Sequence, residues 1–297
     1  MQIEKAQELG LCFGVRRAIK MLKEASARYG KIETLGPVAH NRQLVEGLAR
    51  AGITPVDKLE QANGKILAIS AHGVSPSVLH EIEARHINII DTTCPIVRRA
   101  QNTARELAES GFDVIVFGEA EHSEVKGLLG WAGGKGMATL DAKQLIISPP
   151  PAQGGELPSD TAGENHPPGE RLGIIAQTTQ SGLAFTRFVA ELITTRVPES
   201  KEIRIVNTLC QATQERQEAA VELAQKCQLM IVVGGHNSAN TRRLAEVCLP
   251  VVETHLVENA SELDKSWLTG KQHMGITAGA STSDEAVEEV ISWLKSP

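Results

Sequence analysis

Short apolar runs separated by longer helix-like stretches constrain this chain more than any other feature. KILAIS (65–70), INII (87–90), FDVIVFG (112–118), RLGIIAQ (171–177), KEIRIVN (201–207), LMIVVGG (229–235), PVVET (250–254) and MGITAG (274–279) read as strands. Most are continuous rather than alternating, as for strands buried on both faces of a parallel sheet. Between them, VRRAIKMLKEASARYG, VRRAQNTARELAESG, QERQEAAVELAQK and SDEAVEEVISWLKS carry a helical pattern, with Gly30 and Gly111 placed to end the first two. Such alternation predicts an α/β class with parallel sheets. Residues 148–170 are rich in Pro, Gly and acidic side chains, lack apolar periodicity and read as a flexible surface loop.

The rest of the composition narrows the function classes. The chain has 297 residues, 30 basic against 36 acidic, and a formal charge of −6. That balance argues against a nucleic-acid partner, which needs a basic face. The N-terminal MQIEKAQELG is polar and charged, unlike a secretory signal, and no apolar run reaches the roughly 18 residues of a membrane helix. A cytoplasmic protein with no membrane partner is expected. Five scattered cysteines are too few for a disulfide framework in a chain this long.

Three of those cysteines share a context. Cys12 stands in LGLCFGVRRAIKMLKEA, Cys94 in DTTCPIVRRAQNTARELAE and Cys210 in NTLCQATQERQEAAVELAQ. Each opens a long helical pattern with arginine in the first turn or two. The repeat divides the chain into three α/β units, 1–93, 94–198 and 199–297. A helix N-terminus favours thiolate over thiol, the form that binds metal. Three converging thiolates would leave a fourth metal position open and suit an iron–sulfur cluster or zinc. The competing interpretation is three unrelated core or capping cysteines. Cys227 and Cys248 lie in apolar element interiors and read as buried small hydrophobes.

Histidines recur at strand ends, where α/β sheets collect ligands: His40 in GPVAHNRQL, His72 in ISAHGVS and His122 in GEAEHSEVKG. Each suits an anionic substrate or a loop cap. The segment IVVGGHNSANTRRLAE (231–246) runs from a strand through Gly234 and Gly235 to a helix, placing Ser238, Asn240 and Thr241 beside an anion-binding helix N-terminus. ITAGASTSDEAVEEV (276–290) repeats the plan with Ser281, either as a ligand or as a helix cap. Glu124 is a proton carrier or a solvated loop acid. In QTTQS (177–181), Thr178 and Thr179 orient a substrate alcohol or cap the next helix.

Taken together, GLCFGVRRAI, VAHN, SAHGVS, DTTCP, HSEVKG, QTTQS, ATQERQEA, GGHNSANTRRLAE and TAGAS resemble the 4-hydroxy-3-methylbut-2-enyl diphosphate reductases, the last enzymes of the non-mevalonate isoprenoid pathway. The matches run in the family's order to near residue 284. The resemblance implies a pseudo-threefold trefoil of small α/β domains around a central 4Fe–4S cluster, held by Cys12, Cys94 and Cys210 with one open iron. It implies Glu124, with Thr178 and His122, as proton-delivering residues. His40, His72, His122, Ser238, Asn240 and Ser281 become ligands of a small-molecule diphosphate substrate, and a ferredoxin or flavodoxin becomes the electron donor. Two departures are visible. Ala239 stands where many members carry a second serine, and the 148–170 loop is longer than usual. Rival readings are a three-cysteine dehydratase, a quinolinate-synthase-like enzyme, or a non-catalytic iron–sulfur sensor.

Overall fold

The computed structural model describes residues 1–134, 136–145 and 169–296. All but the last two positions of the expected 148–170 loop lie outside them. The chain forms two compact units. One comprises Met1–Ala71, His86–Cys94 and Cys210–Pro297; the other comprises His72–Arg85 and Pro95–Leu209.

In chain order the elements of the first unit begin with β1 (Gln2–Lys5), α1 (Phe13–Tyr29), β2 (Ile32–Leu35), α2 (Arg42–Arg50), β3 (Ile53–Val56) and β4 (Ile66–Ile69). Then α3 (Pro76–Ala84) belongs to the second unit and β5 (Asn88–Asp91) to the first. The second unit continues with α4 (Pro95–Glu109), β6 (Asp113–Phe117), α5 (Ser123–Trp131), β7 (Gly136–Thr139), β8 (Arg171–Ala176), α6 (Gly182–Arg196) and β9 (Glu202–Ile205). The first unit resumes with α7 (Gln211–Ala224), β10 (Leu229–Val233), α8 (Ala239–Cys248), β11 (Thr254–Val257), β12 (His273–Ala278) and α9 (Asp284–Lys295).

The strands build three four-stranded sheets, β3-β2-β4-β5, β7-β6-β8-β9 and β1-β12-β10-β11, and every pairing is parallel. The α/β class is therefore as expected. With the third sheet read in reverse, as β11-β10-β12-β1, all three have one order: second, first, third, fourth. In the last sheet β10, β11 and β12 are the first three, and the fourth strand is β1, from the other end of the chain. Strand pairing thus crosses the sequence divisions at 93 and 198, because β1 pairs with β12 and β9 pairs with β8.

Continuous apolar strands arise where both faces are covered. In β10, Leu229, Ile231 and Val233 enter one core and Met230 and Val232 the other. In β6, Ile115 and Phe117 split from Val114 and Val116 in the same way. This is the period of two with no solvent face. The strands not anticipated, β1, β2, β3 and β7, are short and include half-buried or exposed residues, and three of them are sheet edges. One expected strand is displaced. Pro250–Glu253 do not start a strand; the amides of Val251 and Val252 both donate to Cys248 O, forming a turn after α8, and β11 begins at Thr254. Val252 is apolar because it packs on the core beneath that turn.

Gly275 in β12 lets α7 approach closely. A Cβ there would press on Met230 Sδ and would lie 2.8 Å from Leu223 Cγ. Gly275→Ala should cost about 1–3 kcal/mol by overpacking. Urea unfolding checks this, and an unchanged midpoint would show that α7 shifts without strain.

Candidate functional site

The first unit contains Cys12, Cys94 and Cys210, half-buried and unpaired by disulfides. Each immediately precedes a helix, α1, α4 and α7, and follows the fourth strand of a sheet. Cys12 is a true N-cap, its Sγ accepting from Val15 N at 3.5 Å. Its own amide donates to Ala280 O, and that of Cys94 donates to Ala71 O, both at 3.0 Å. The two sulfurs border one point. A Cβ on Gly14 would lie 2.7 Å from Cys94 Sγ and 3.8 Å from Cys12 Sγ, so only glycine leaves that space clear. Arg216 links the third cysteine to the first. Burial pushes its guanidinium pKa down, while the neighbouring Cys12, Glu8 and Cys210 pull it back up. Cys227 and Cys248 sit elsewhere, in an apolar core. Burial pushes both thiols up, Cys248 to about 12, which disfavours the thiolate a metal needs.

The second unit contains the acid. Glu124 lies in the first turn of α5, only 1% exposed. Thr178, which follows β8, grips both carboxyl oxygens. Its amide donates to Oε1 at 2.7 Å and its hydroxyl to Oε2 at 2.9 Å. Desolvation raises the Glu124 pKa to about 7, and the two Thr178 bonds only partly oppose it. Glu124 is therefore not a solvated loop acid, and Thr178 does not cap the next helix, because Ser181 does. His122 caps α5, its Nδ1 accepting from Glu124 N at 3.2 Å, and its ring meets that of His72 edge-on at 5.5 Å. Thr179 bonds Gln177 instead.

The first unit also contains the serine–asparagine set. Ser238 caps α8, its Oγ accepting from Thr241 N at 3.3 Å. Asn240 lies in the first turn of α8 and Ser281 follows β12. Both are buried, and Asn240 Oδ1, Asn240 Nδ2 and Ser281 Oγ have no hydrogen-bond partner among the described residues. Three such buried polar atoms carry a desolvation cost that a bound ligand would offset. Ser281 is not the cap of α9; Ser283 is. The α8 loop abuts the first sheet's loop, where a Cβ on Gly235 would strike His40 O. Burial, and secondarily Arg242, lowers the His40 pKa and keeps the ring neutral. His236 is apart from this set, exposed and bonded to Glu262 at 2.8 Å.

Sequence patterns alone do not single out Gly14 or Arg216. Gly14 is one small residue in a helix start, and Arg216 stands one residue off the VRRA wording of the other two segments.

A family model described as LytB protein matches residues 3–295. A reviewed relative from Dehalococcoides mccartyi, named 4-hydroxy-3-methylbut-2-enyl diphosphate reductase, is 43% identical over 296 residues, covering 100% of this chain and 98% of its own. One of the same name from Geobacter metallireducens is 37% identical, covering 99% and 97%. A solved structure of (E)-4-hydroxy-3-methyl-but-2-enyl diphosphate reductase, titled the terminal enzyme of the non-mevalonate pathway, shares 34% identity at a TM-score of 0.66, with 99% of both chains covered. A Plasmodium falciparum reductase structure, at 24% identity and a TM-score of 0.87, covers 100% of this chain and 88% of its own and attests the fold. With its three parallel sheets and its full length matched, this chain belongs to the LytB protein family.

Proposed function

We propose that this chain catalyses the reductive dehydroxylation of 4-hydroxy-3-methylbut-2-enyl diphosphate, taking up two electrons and two protons and releasing water, to give isopentenyl and dimethylallyl diphosphate. The observation that carries this reading is the arrangement of three cysteines outside any disulfide, distant in sequence but in one compact unit, each opening a helix. The names of the full-length relatives support it.

The residues fit a 4Fe–4S cluster. Cys12, Cys94 and Cys210 would hold three irons, Gly14 leaves clearance beside two of the sulfurs, and Arg216 puts a buried cation near them. When bound, such a cluster supplies single electrons and a Lewis-acidic iron with an open position. The chain's own residues do the rest. Asn240, Ser281 and Ser238 bind the diphosphate with the α8 N-terminus, whose backbone amides point toward an anion. Ala239 offers only its amide there. His40 and His72 add donors, and an incoming diphosphate raises the proton affinity of His40 that Arg242 and burial now depress. Glu124, held by Thr178, keeps a proton near neutral pH and delivers it as the C–O bond breaks, with His122 as its neighbour in the relay. Among the described residues no helix is long and apolar enough to cross a membrane. A reducing cytoplasm and a ferredoxin or flavodoxin as donor complete the proposal.

The direct test is an anaerobic assay with that diphosphate and a chemical reductant, with both five-carbon products quantified. Absence of either product in cluster-loaded protein would end the proposal. Cys12→Ser, Cys94→Ser and Cys210→Ser should each abolish or degrade the brown iron–sulfur absorption, while Cys227→Ala and Cys248→Ala retain it. Glu124→Gln should lower kcat by roughly 10²–10⁴ with the cluster spectrum intact. Because the donor must be protonated and its pKa lies near 7, wild-type turnover should fall as pH rises through that value. A pH profile flat from 6 to 9 would remove Glu124 from the role. Asn240→Ala and Ser281→Ala should raise KM about tenfold or more, the scale of a hydrogen bond to a charged group, and change kcat less. Steady-state kinetics on each variant reads this.

A further inference from the structure

Three arginines beside the cysteines have hydrogen bonds that the mechanism does not use. Arg17, on the helix that Cys12 opens, donates through Nη1 to Thr93 O at 3.2 Å and lies 3.5 Å from Thr92 O. Arg99, on the helix that Cys94 opens, reaches Leu209 O at 3.5 Å through Nη2. Arg216, on the helix that Cys210 opens, donates through Nη2 to Gly10 O at 3.0 Å and through Nη1 to Ala212 O at 3.2 Å. Thr93 and Leu209 directly precede Cys94 and Cys210, and Gly10 is two residues ahead of Cys12. Each arginine therefore grips the backbone leading into the next cysteine, and the last returns to the first.

We propose that Arg17, Arg99 and Arg216 are positioning residues that hold the three cysteine approaches in register for the metal group, with Arg216 dominant. The proposal rests on the iron–sulfur reading above. Three ligands from distant segments must be ordered before they can bind one group, and ordering them in advance removes that entropy from the binding step. A guanidinium suits the task because it stays charged and its planar fork can hold two carbonyls at once.

The three are graded. Arg216 is 4% exposed, its two bonds join the loop before Cys12 to the start of the Cys210 helix, and its buried Nε–H has no partner among the described residues. A buried donor of that kind is costly unless an acceptor arrives, and sulfur of a bound cluster is an acceptor. A buried cation there also favours the more negative, reduced state of the group. Arg17 is half-buried with one bond of ordinary length; Arg99 is exposed with the longest contact.

The test uses full-length, anaerobically loaded protein. Cluster absorbance is followed in excess EDTA, and the midpoint potential is read by EPR-monitored titration. Arg216→Met should lose its cluster roughly 10- to 100-fold faster, the scale seen for residues that orient metal ligands, with a more negative midpoint. Arg17→Met should show a smaller acceleration and Arg99→Met the smallest. Arg216→Lys should restore the midpoint but not the slow loss, because lysine keeps the charge without the fork. Wild-type loss rate and midpoint in Arg216→Met overturn the proposal. So does faster loss with an unchanged midpoint and a lowered melting temperature of the metal-free protein, which marks a structural role only. If Arg216→Met does not fold, Arg216→Lys decides: faster loss at a wild-type midpoint supports the proposal, and wild-type values in both overturn it. Wild-type protein without iron–sulfur absorption would instead refute the iron–sulfur reading, and the positioning role with it.

Discussion

A parallel sheet has a direction, and the chemistry of this chain follows from it. All strands of a parallel sheet end on the same side, and the helices that follow begin there with unpaired N–H groups and partial positive charge. Thiolates, carboxyls and phosphates are all anions or near-anions, so this side is where they gather. The strand order second, first, third, fourth then divides the labour. The crossover reverses between the first and third strands, which opens a crevice beyond their ends. Loops and helix starts after the first strands carry His40, His122, Ser238 and Asn240, and those after the third carry His72, Thr178 and Ser281. Loops after fourth strands carry Cys12, Cys94 and Cys210. The proposed substrate groups and the proposed metal ligands thus occupy different strand positions of one repeated plan.

Glu124 shows how burial is turned to use. A carboxyl this deep resists ionisation, and a lone one would move well above neutrality. The two Thr178 bonds pull the other way by favouring the carboxylate. The balance near 7 leaves a carboxyl that exchanges its proton around neutral pH, as the proposed donor must. Losing the Thr178 hydroxyl would therefore strengthen the hold on the proton.

Much of this was visible in the sequence because apolar runs and helix starts are local. Buried strands such as β6 and β10 need no partner to be recognised, and Cys12 and Cys210 announce themselves by the helices they open. Strands β1 (QIEK), β2 (IETL), β3 (ITPV) and β7 (GMAT) are not legible because none contains a continuous apolar run; polar residues, Gly or Pro interrupt each. PVVET misled because a turn packed on a core is as apolar as a strand. Ser281 and Ser283 are indistinguishable as caps until backbone geometry separates them. Arg17, Arg99 and Arg216 belong to the arginines of the first turn or two of these helices, but their acceptors are carbonyls, which any residue supplies. Side chain–backbone contacts at long range leave no trace in residue identity.

The third sheet draws its fourth strand from the opposite end of the chain, which makes one cysteine's setting far less local than another's. Among the described residues β1 pairs with β12 alone, and the amide of Cys12 is held by Ala280 O. Cys94 depends on Ala71, a residue already synthesised when it appears. Cys12 takes its backbone support from a residue near the other end of the chain, so its placement depends on non-local closure that costs more chain entropy than that of Cys94. The contact from Arg216 to Gly10 comes from α7 and gives the loop before Cys12 an anchor on a second element besides β12.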